Sequence, residues 1–159
     1  MATSILLPTD VINCGLRISS DIRDEEIQFS IDTVEKIYVA PTLGDLYNQI
    51  ISSPASYTDL LNGKDGVPGL KLALEHLVYA YLLYDTVYAT RFTSVIKDSD
   101  ESHQPSIEQI FKLSNHHWEL GCMALKQILT SLELPIVQVN NMASYFCEFL
   151  WCNGNKDLM

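Results

Sequence analysis

The sequence predicts a mainly α fold, namely a helical bundle of about four to five helices with a small β-hairpin or extended arm. Three observations favour this class. Apolar residues recur at spacings of three and four along most of the chain, and a helix-capping signal precedes the longest such run. The chain has 159 residues, of which 47% are hydrophobic and 19% charged, which suits one core. We therefore expect a single helical domain over residues 1–159, with its core at about 20–132 and a C-terminal extension at 133–159.

The first predicted helix follows about twenty residues that we expect to be irregular or extended. It should begin near Ser20 or Asp21, where a capping residue precedes an acidic turn. Its apolar positions have helical spacing and are Ile27, Ile31, Val34 and Tyr38. Proline disfavours helical geometry in the residue before it but suits the first turn of a helix. We therefore expect two helices to meet at a sharp corner around Pro41, the second running through Ile51.

The middle of the chain contains the most apolar helix, predicted at residues 70–89. A short helical turn at Tyr57–Leu61 and a loop at Asn62–Gly66 precede it. Its length is close to that of a membrane span, but it contains four polar or charged residues that would be costly in a bilayer: Lys71, Glu75, His76 and Asp85. It is therefore interpreted as the central helix of a core, with no membrane contact.

The clearest helix begins at Ser106, because Ser106 and Gln109 form a capping box. The apolar or small residues that follow make a nearly continuous seam: Ile107, Ile110, Phe111, Ser114, Trp118, Cys122, Leu125, Leu129 and Leu132. Leu134-Pro135 should end it. Beyond that point two interpretations stay open: Ile136–Val139 alternates like a short strand, whereas Met142, Tyr145, Phe146 and Phe149 fit one face of a helix.

Charge and cysteine content exclude several classes of function. The formal net charge is −10, from 20 acidic and 10 basic residues, so tight binding to nucleic acid through counterion release is disfavoured. The N-terminal segment has no positive region and too short an apolar run for a signal peptide. The four cysteines are Cys14, Cys122, Cys147 and Cys152. They form no C-x-x-C pair, and we expect reduced thiols in an intracellular protein.

No catalytic, cofactor-binding or metal site is predicted. His116 and His117 are adjacent, so on a helix they point about 100° apart and do not chelate one ion easily. A zinc site would need His76, Cys147 or Cys152 to converge from elsewhere in the chain. The segment from Asp98 resembles the start of a calcium loop, but His103 stands where that loop needs glycine and Gln109 where it needs glutamate. Nucleophile-elbow and phosphate-loop motifs are absent from the sequence.

The segment Ile37–Ile50, IYVAPTLGDLYNQI, resembles a phrase found in head–tail connector proteins of tailed bacteriophages, especially the Bacteroidetes and crAss-like group. There, a helix runs into a proline corner, and a tyrosine-rich apolar helix, an excursion and a last long helix follow. Residues 20–132 show the same order. The resemblance implies a structural virion protein that forms a homo-oligomeric ring, a dodecamer, below the portal. It also implies neighbouring tail or ring proteins as partners, assembly in the host cytoplasm, and DNA that passes through without specific binding. It carries no catalytic residue.

The excursion at residues 90–105 is the predicted interface of such a ring, since a loop this long between packed helices usually has a function. Its apolar half should contact a neighbouring subunit or the portal, and its acidic half should face solvent or the channel. The alternative is a disordered surface loop without a function. The candidate interface residues are Arg91, Phe92, Val95, Ile96, Asp98, Asp100 and Glu101. Two alternatives remain: a small helical adaptor or regulator that binds one protein partner through an aromatic groove, and an unrecognised small enzyme.

Overall fold

A computed structural model describes residues 4–16, 18, 22–88 and 106–142. Over these ranges the chain is mainly α with one small two-stranded hairpin, which confirms the predicted fold class. The α-helices are α1 (Pro8–Asn13), α2 (Asp24–Val34), α3 (Ala40–Leu43), α4 (Asp45–Ser52), α5 (Thr58–Asn62), α6 (Leu70–Tyr88) and α7 (Ile107–Ser131). A π-helix (Glu35–Val39) joins α2 to α3, and a 3-10 helix (Pro54–Tyr57) precedes α5.

The N-terminal segment is helical where an irregular or extended chain was expected. Pro8 occupies the first turn of α1, where its missing N–H has no helical partner to lose. The Asp10 carboxylate accepts a hydrogen bond of 2.9 Å from the backbone N–H of Leu7, which helps to close this first turn. Leu6 and Val11 are fully buried in the core. The packing of these side chains therefore stabilises α1. A six-residue helix is too short for the spacing of its apolar residues to predict it.

The corner predicted at Pro41 lies at Gly44 instead. The helix continues past Val34 as a π-helix, and the backbone N–H of Ala40 donates to the carbonyl of Glu35, five residues earlier. This wider turn makes room for Pro41, whose ring would clash with the carbonyl four residues earlier in a regular helix. The chain turns at Gly44, which has φ 57° and ψ −131°. A backbone in that region favours glycine.

The hairpin consists of β1 (Gly63–Lys64), inside the segment Asn62–Gly66 that was predicted as a loop, and β2 (Val67–Pro68), directly after it. Its turn residues have positive φ angles, 52° for Asp65 and 82° for Gly66, as a two-residue hairpin turn requires. The strands pair antiparallel. The extended arm predicted at Phe92–Ile96 lies outside the described residues.

Two long antiparallel helices, α6 and α7, form the centre of the molecule. The Ser114 hydroxyl donates 2.8 Å to the carbonyl of Ala80 and thereby joins the two helices. Trp118 is fully buried, and its indole N–H donates 3.2 Å to the carbonyl of Met142. Residues 137–142 are helical, so Ile136–Val139 does not form the strand that was one of two interpretations. The core seam predicted along α7 is confirmed at its centre.

The buried core draws on α1, α2, α4, α6, α7 and residues 137–142. Its largest fully buried side chains are Trp118, Leu6, Ile27, Ile31, Ile50, Leu70, Leu74, Leu77, Leu83, Leu125, Ile128 and Leu129. Within the described residues, no helix combines the length and apolar character needed to cross a membrane.

Candidate functional site

The predicted interface residues Arg91, Phe92, Val95, Ile96, Asp98, Asp100 and Glu101 lie outside the described residues. The structure therefore does not test the prediction that these residues form an interface. The described residues offer three features that could serve a function: an exposed apolar face on α2, a buried carboxylate that holds the N-terminal segment, and a pair of histidines between α6 and α7.

The first feature is the outer face of α2 and the π-helix, which we call the α2 surface and define as Phe29, Thr33 and Ile37. Phe29 and Ile37 are each 59% exposed. Thr33 lies midway between them, four residues from each, so the three side chains lie on the same side of the helix. The Thr33 hydroxyl donates a hydrogen bond of 2.8 Å to the carbonyl of Phe29, one turn earlier in the same helix. Two large apolar side chains thus point outward from a backbone held by the core.

The N-terminal end of the α2 surface is acidic. The first turn of α2 contains Asp24, Glu25 and Glu26, where carboxylates interact favourably with the helix dipole. The pKa of the Asp85 carboxyl, near the end of α6, is raised first by burial and then by the negative charge of Glu26. A partner that covers the α2 surface would therefore meet negative charge at one end of it.

Basic side chains in the described ranges are largely used in ion pairs. Arg23, Lys36, Lys64, Lys71 and Lys112 each lie within 2.6–3.5 Å of a carboxylate. Exposed carboxylates remain around the molecule at Asp24, Glu25, Asp45, Asp65, Glu119 and Glu133. The surface that solvent meets is consequently acidic on several sides, in agreement with the net charge.

The second feature is Glu35, a carboxylate with only 1% of its residue surface exposed. Its oxygens accept hydrogen bonds from the backbone N–H groups of Ile5 at 2.9 and 3.0 Å and of Leu6 at 3.0 Å. The Tyr47 hydroxyl donates a further bond of 2.8 Å. One side chain therefore ties the N-terminal segment to the π-helix and to α4.

Burial dominates the ionisation of this cluster. It raises the pKa of the Glu35 carboxyl, although the bonds from Ile5, Leu6 and Tyr47 act in the opposite direction. The pKa of the Tyr47 hydroxyl is raised as well, first by burial and then by its bond to Glu35. All the polar atoms of the cluster have partners, so it is built as an anchor rather than as an open reactive site.

The third feature is a contact between His76 of α6 and His117 of α7. Their Nδ1 atoms lie 2.9 Å apart, and their ring centroids are 5.1 Å apart with an interplanar angle of 23°. The centroid separation is close to the nitrogen–nitrogen distance plus one ring radius at each end, so the nearly coplanar rings meet edge to edge. This is the geometry of an N–H···N hydrogen bond.

Aromatic neighbours surround the pair. Tyr79 packs edge-on against His117, with centroids 4.7 Å apart, and the His116 ring lies 5.6 Å from the same imidazole. The pKa of His117 is lowered to about 4, first by burial and then by the two other histidines. Burial likewise lowers the pKa of His76. Both rings are therefore neutral at pH 7.

Neither a metal centre nor an enclosed cavity dominates the described structure. Among the described residues no three His, Cys, Asp or Glu side chains converge on a point that could hold a metal ion. One surface depression of about 440 Å³ is bordered by polar side chains of α4 and the 3-10 helix, which are Asn48, Gln49, Ser52, Ser53, Ser56 and Tyr57. The depression is shallow and open to solvent, unlike the clefts that bury most of a small-molecule ligand.

No family model, curated protein or solved structure matches this chain.

Two of these features were absent from the sequence-based expectations. Glu35 follows Ile27 and Ile31 at steps of four, so that spacing predicts its place at the start of the π-helix, in line with the buried face of α2. His76 and His117 are 41 residues apart, and their contact depends on the register between α6 and α7. No local pattern contains that register.

Proposed function

We propose that this chain is a structural protein of a tailed-phage virion, a head–tail connector that forms a ring below the portal and continues the DNA channel. The proposal combines the resemblance carried by Ile37–Ile50 with the α2 surface, an outward-facing apolar surface that reaches the first residue of that stretch. The observation that carries it is the 59% exposure of Ile37, the first residue of that segment.

The segment has two distinct sides. Val39, Leu43, Tyr47 and Ile50 point into the core. Ile37, Pro41 and Asp45 are exposed. The inward residues suffice to pack the helix, so the core does not require an apolar side chain at position 37. Contact with another chain supplies a reason for it.

The acidic surface supports the same function. A channel wall that passes DNA must not retain it, and negative charge repels the phosphate backbone. Exposed carboxylates occur on α2, α4, the hairpin turn and α7, while several basic side chains are neutralised in ion pairs. The charge of the chain therefore suits a protein that lies beside DNA without binding it.

The test is a mass measurement on the intact chain, alone and mixed with the portal protein of the same phage. We expect a species many times the 17.9 kDa of one chain, at least when the portal is present. Ile37→Asp and Phe29→Asp should each leave the helical circular dichroism unchanged and abolish that species, because each puts a charge into the α2 surface.

Met123→Asp is the matched control, since Met123 is 57% exposed on a different helix, α7. It should assemble like the parent. If all three variants assemble equally well, the α2 surface is not an assembly surface. If the parent forms only a complex of one copy with one partner, the chain is an adaptor and the ring assignment is wrong.

A further inference from the structure

The contact between His76 and His117 joins the two central helices through one proton. When both rings are neutral, each carries a single N–H, and a bond between two Nδ1 atoms needs one donor and one acceptor. One ring must therefore be the Nδ1–H tautomer and the other the Nε2–H tautomer. The contact imposes opposite tautomers on two residues of the same type.

Added protons act on this contact in two different ways. The first can go to the free Nε2 of the donor ring, and the bond survives as an imidazolium donating to a neutral imidazole. The second must go to the accepting Nδ1 itself. Two N–H groups then face each other across 2.9 Å, between two like charges. The pair titrates in two steps, and only the second step breaks it.

Within the described residues, the surroundings do not compensate for that second charge. His116 adds a third imidazole from α7, and the Tyr79 ring from α6 packs against His117. Glu75, next to His76, is directed towards the α1 side, where its charge interacts with Cys14, Asp10 and Lys71. In the described part of the chain, neither ring of the pair has a hydrogen bond or ion pair to a carboxylate.

We propose that His76 and His117 form an acid-sensitive contact between α6 and α7, which holds with one shared proton and opens when both rings are protonated. The contact lies next to a close approach of the two helices, since a Cβ at Gly121, four residues after His117, would lie 2.6 Å from Cγ of Leu77, the residue after His76. Repulsion at the histidine pair is therefore transmitted to the central seam of the fold. This proposal is independent of the virion assignment.

The direction of the effect follows from the lowered pKa values. The unfolded chain takes up these protons near the usual histidine value of about 6.5, whereas His117 in the folded chain does so at about 4. The unfolded state thus binds more protons between these values, so the contribution of the pair is fully present above pH 6.5 and is lost as pH falls towards 4. A shift of this size corresponds to about 300-fold in the folding equilibrium constant. Because the rings are half-exposed, screening reduces it, and we expect at least about tenfold.

Nitrogen-15 NMR of the wild-type imidazoles tests the proposal directly. At pH 7.5 His76 and His117 should show opposite tautomers, and the second protonation should occur well below pH 6.5, while His116 serves as an internal reference on the same helix. Identical tautomers, or two independent titrations near pH 6.5, would overturn the proposal. This measurement needs no variant and therefore does not depend on a mutant that folds.

Urea unfolding at pH 7.5 and pH 4.5 provides the second test. Other groups also titrate over this range, so the comparison is between variants. His76→Leu should reduce the acid-induced loss of stability by at least about tenfold in the unfolding constant, whereas His116→Ala should keep most of it. An equal pH dependence in wild type and His76→Leu would show that the pair has no part in the acid response.

Discussion

Trp118 shows how one residue can unite several elements. Its indole lies in the seam of α7, its ring is 5.0 Å from that of Tyr38 in the π-helix, and its N–H is satisfied by the carbonyl of Met142. The seam predicted the burial of this residue but neither of these partners. A large aromatic side chain with a satisfied polar atom contributes packing without a desolvation cost.

We expect Trp118→Ala to lower the free energy of unfolding by about 3–5 kcal/mol, because it removes a fully buried indole and leaves a cavity. Trp118→Phe should cost clearly less, since most of the ring volume remains. Urea denaturation followed by circular dichroism measures both. An alanine variant that unfolds at nearly the parental urea concentration would contradict the central place of this residue.

Glu35 is a buried carboxylate whose pKa the fold raises. Glu35→Gln keeps an oxygen that can accept from Ile5 and Leu6, so it should change stability by less than about 1 kcal/mol at pH 7. Glu35→Ala leaves buried N–H groups and the Tyr47 hydroxyl without their acceptor and should cost about 2–4 kcal/mol. Equilibrium unfolding of the two variants distinguishes the contribution of the hydrogen-bond acceptor from that of the negative charge.

The difference in free energy of unfolding between the wild type and Glu35→Gln should depend on pH, and the direction of that dependence can be predicted. Burial raises the pKa of Glu35 in the folded state, so the folded chain takes up this proton at higher pH than the unfolded chain. The cost of the buried charge is present at neutral pH and is relieved as pH falls through the raised value. The wild type should therefore gain stability relative to Glu35→Gln on mild acidification. A relative loss would mean that the hydrogen bonds outweigh burial.

At the scale of elements, close approach decides how α6 and α7 pair. Gly121 lies where a Cβ would be 2.6 Å from Leu77 Cγ and 3.0 Å from the carbonyl oxygen of Ala73. A glycine in the middle of a 25-residue helix is unfavourable for that helix alone. Its presence is explained by the neighbouring helix, which occupies the space that a side chain would need.

Gly121→Ala should consequently destabilise the protein by about 1–3 kcal/mol, although the same change in an isolated helix is stabilising. Glu119→Ala, at an exposed position of the same helix, is the control and should stay within about 0.5 kcal/mol of the parent. Thermal unfolding monitored at 222 nm compares them. A more stable Gly121→Ala protein would show that the two helices can separate at this point without cost.

At the scale of the whole molecule, the acidic surface and the exposed apolar segments should have opposite effects on assembly. The net charge of −10 opposes self-association, so an assembly surface needs apolar contact strong enough to overcome repulsion. We propose the α2 surface as one such contact. The segment 90–105 is the other, predicted from its apolar first half and acidic second half.

Deleting residues 92–102 and bridging the gap with glycines tests that second contact. We expect helical circular dichroism to be retained, because α6 and α7 pack through their own seam, and we expect ring formation or incorporation into virions to be lost. The full-length chain with Phe92, Val95 and Ile96 each replaced by serine keeps the length of the segment, and it should also fail to assemble. Normal assembly of the shortened chain would exclude this segment as an assembly element.

The sequence by itself determined the helical class, the capping box at Ser106, the seam of α7 and the central place of residues 70–88, because these depend on periodicity and capping within one segment. It did not determine the helix at Pro8–Asn13, the shift of the corner from Pro41 to Gly44, the hairpin at 63–68 or the meeting of His76 with His117. For the hairpin, Asp65-Gly66 is itself a local turn signal. The other three depend on tertiary packing: burial of Leu6 and Val11 stabilises a helix too short to form alone, a π-turn accommodates a proline, and the register of two helices brings two distant imidazoles together. Such contacts are properties of pairs of segments, and no single segment of the sequence contains them.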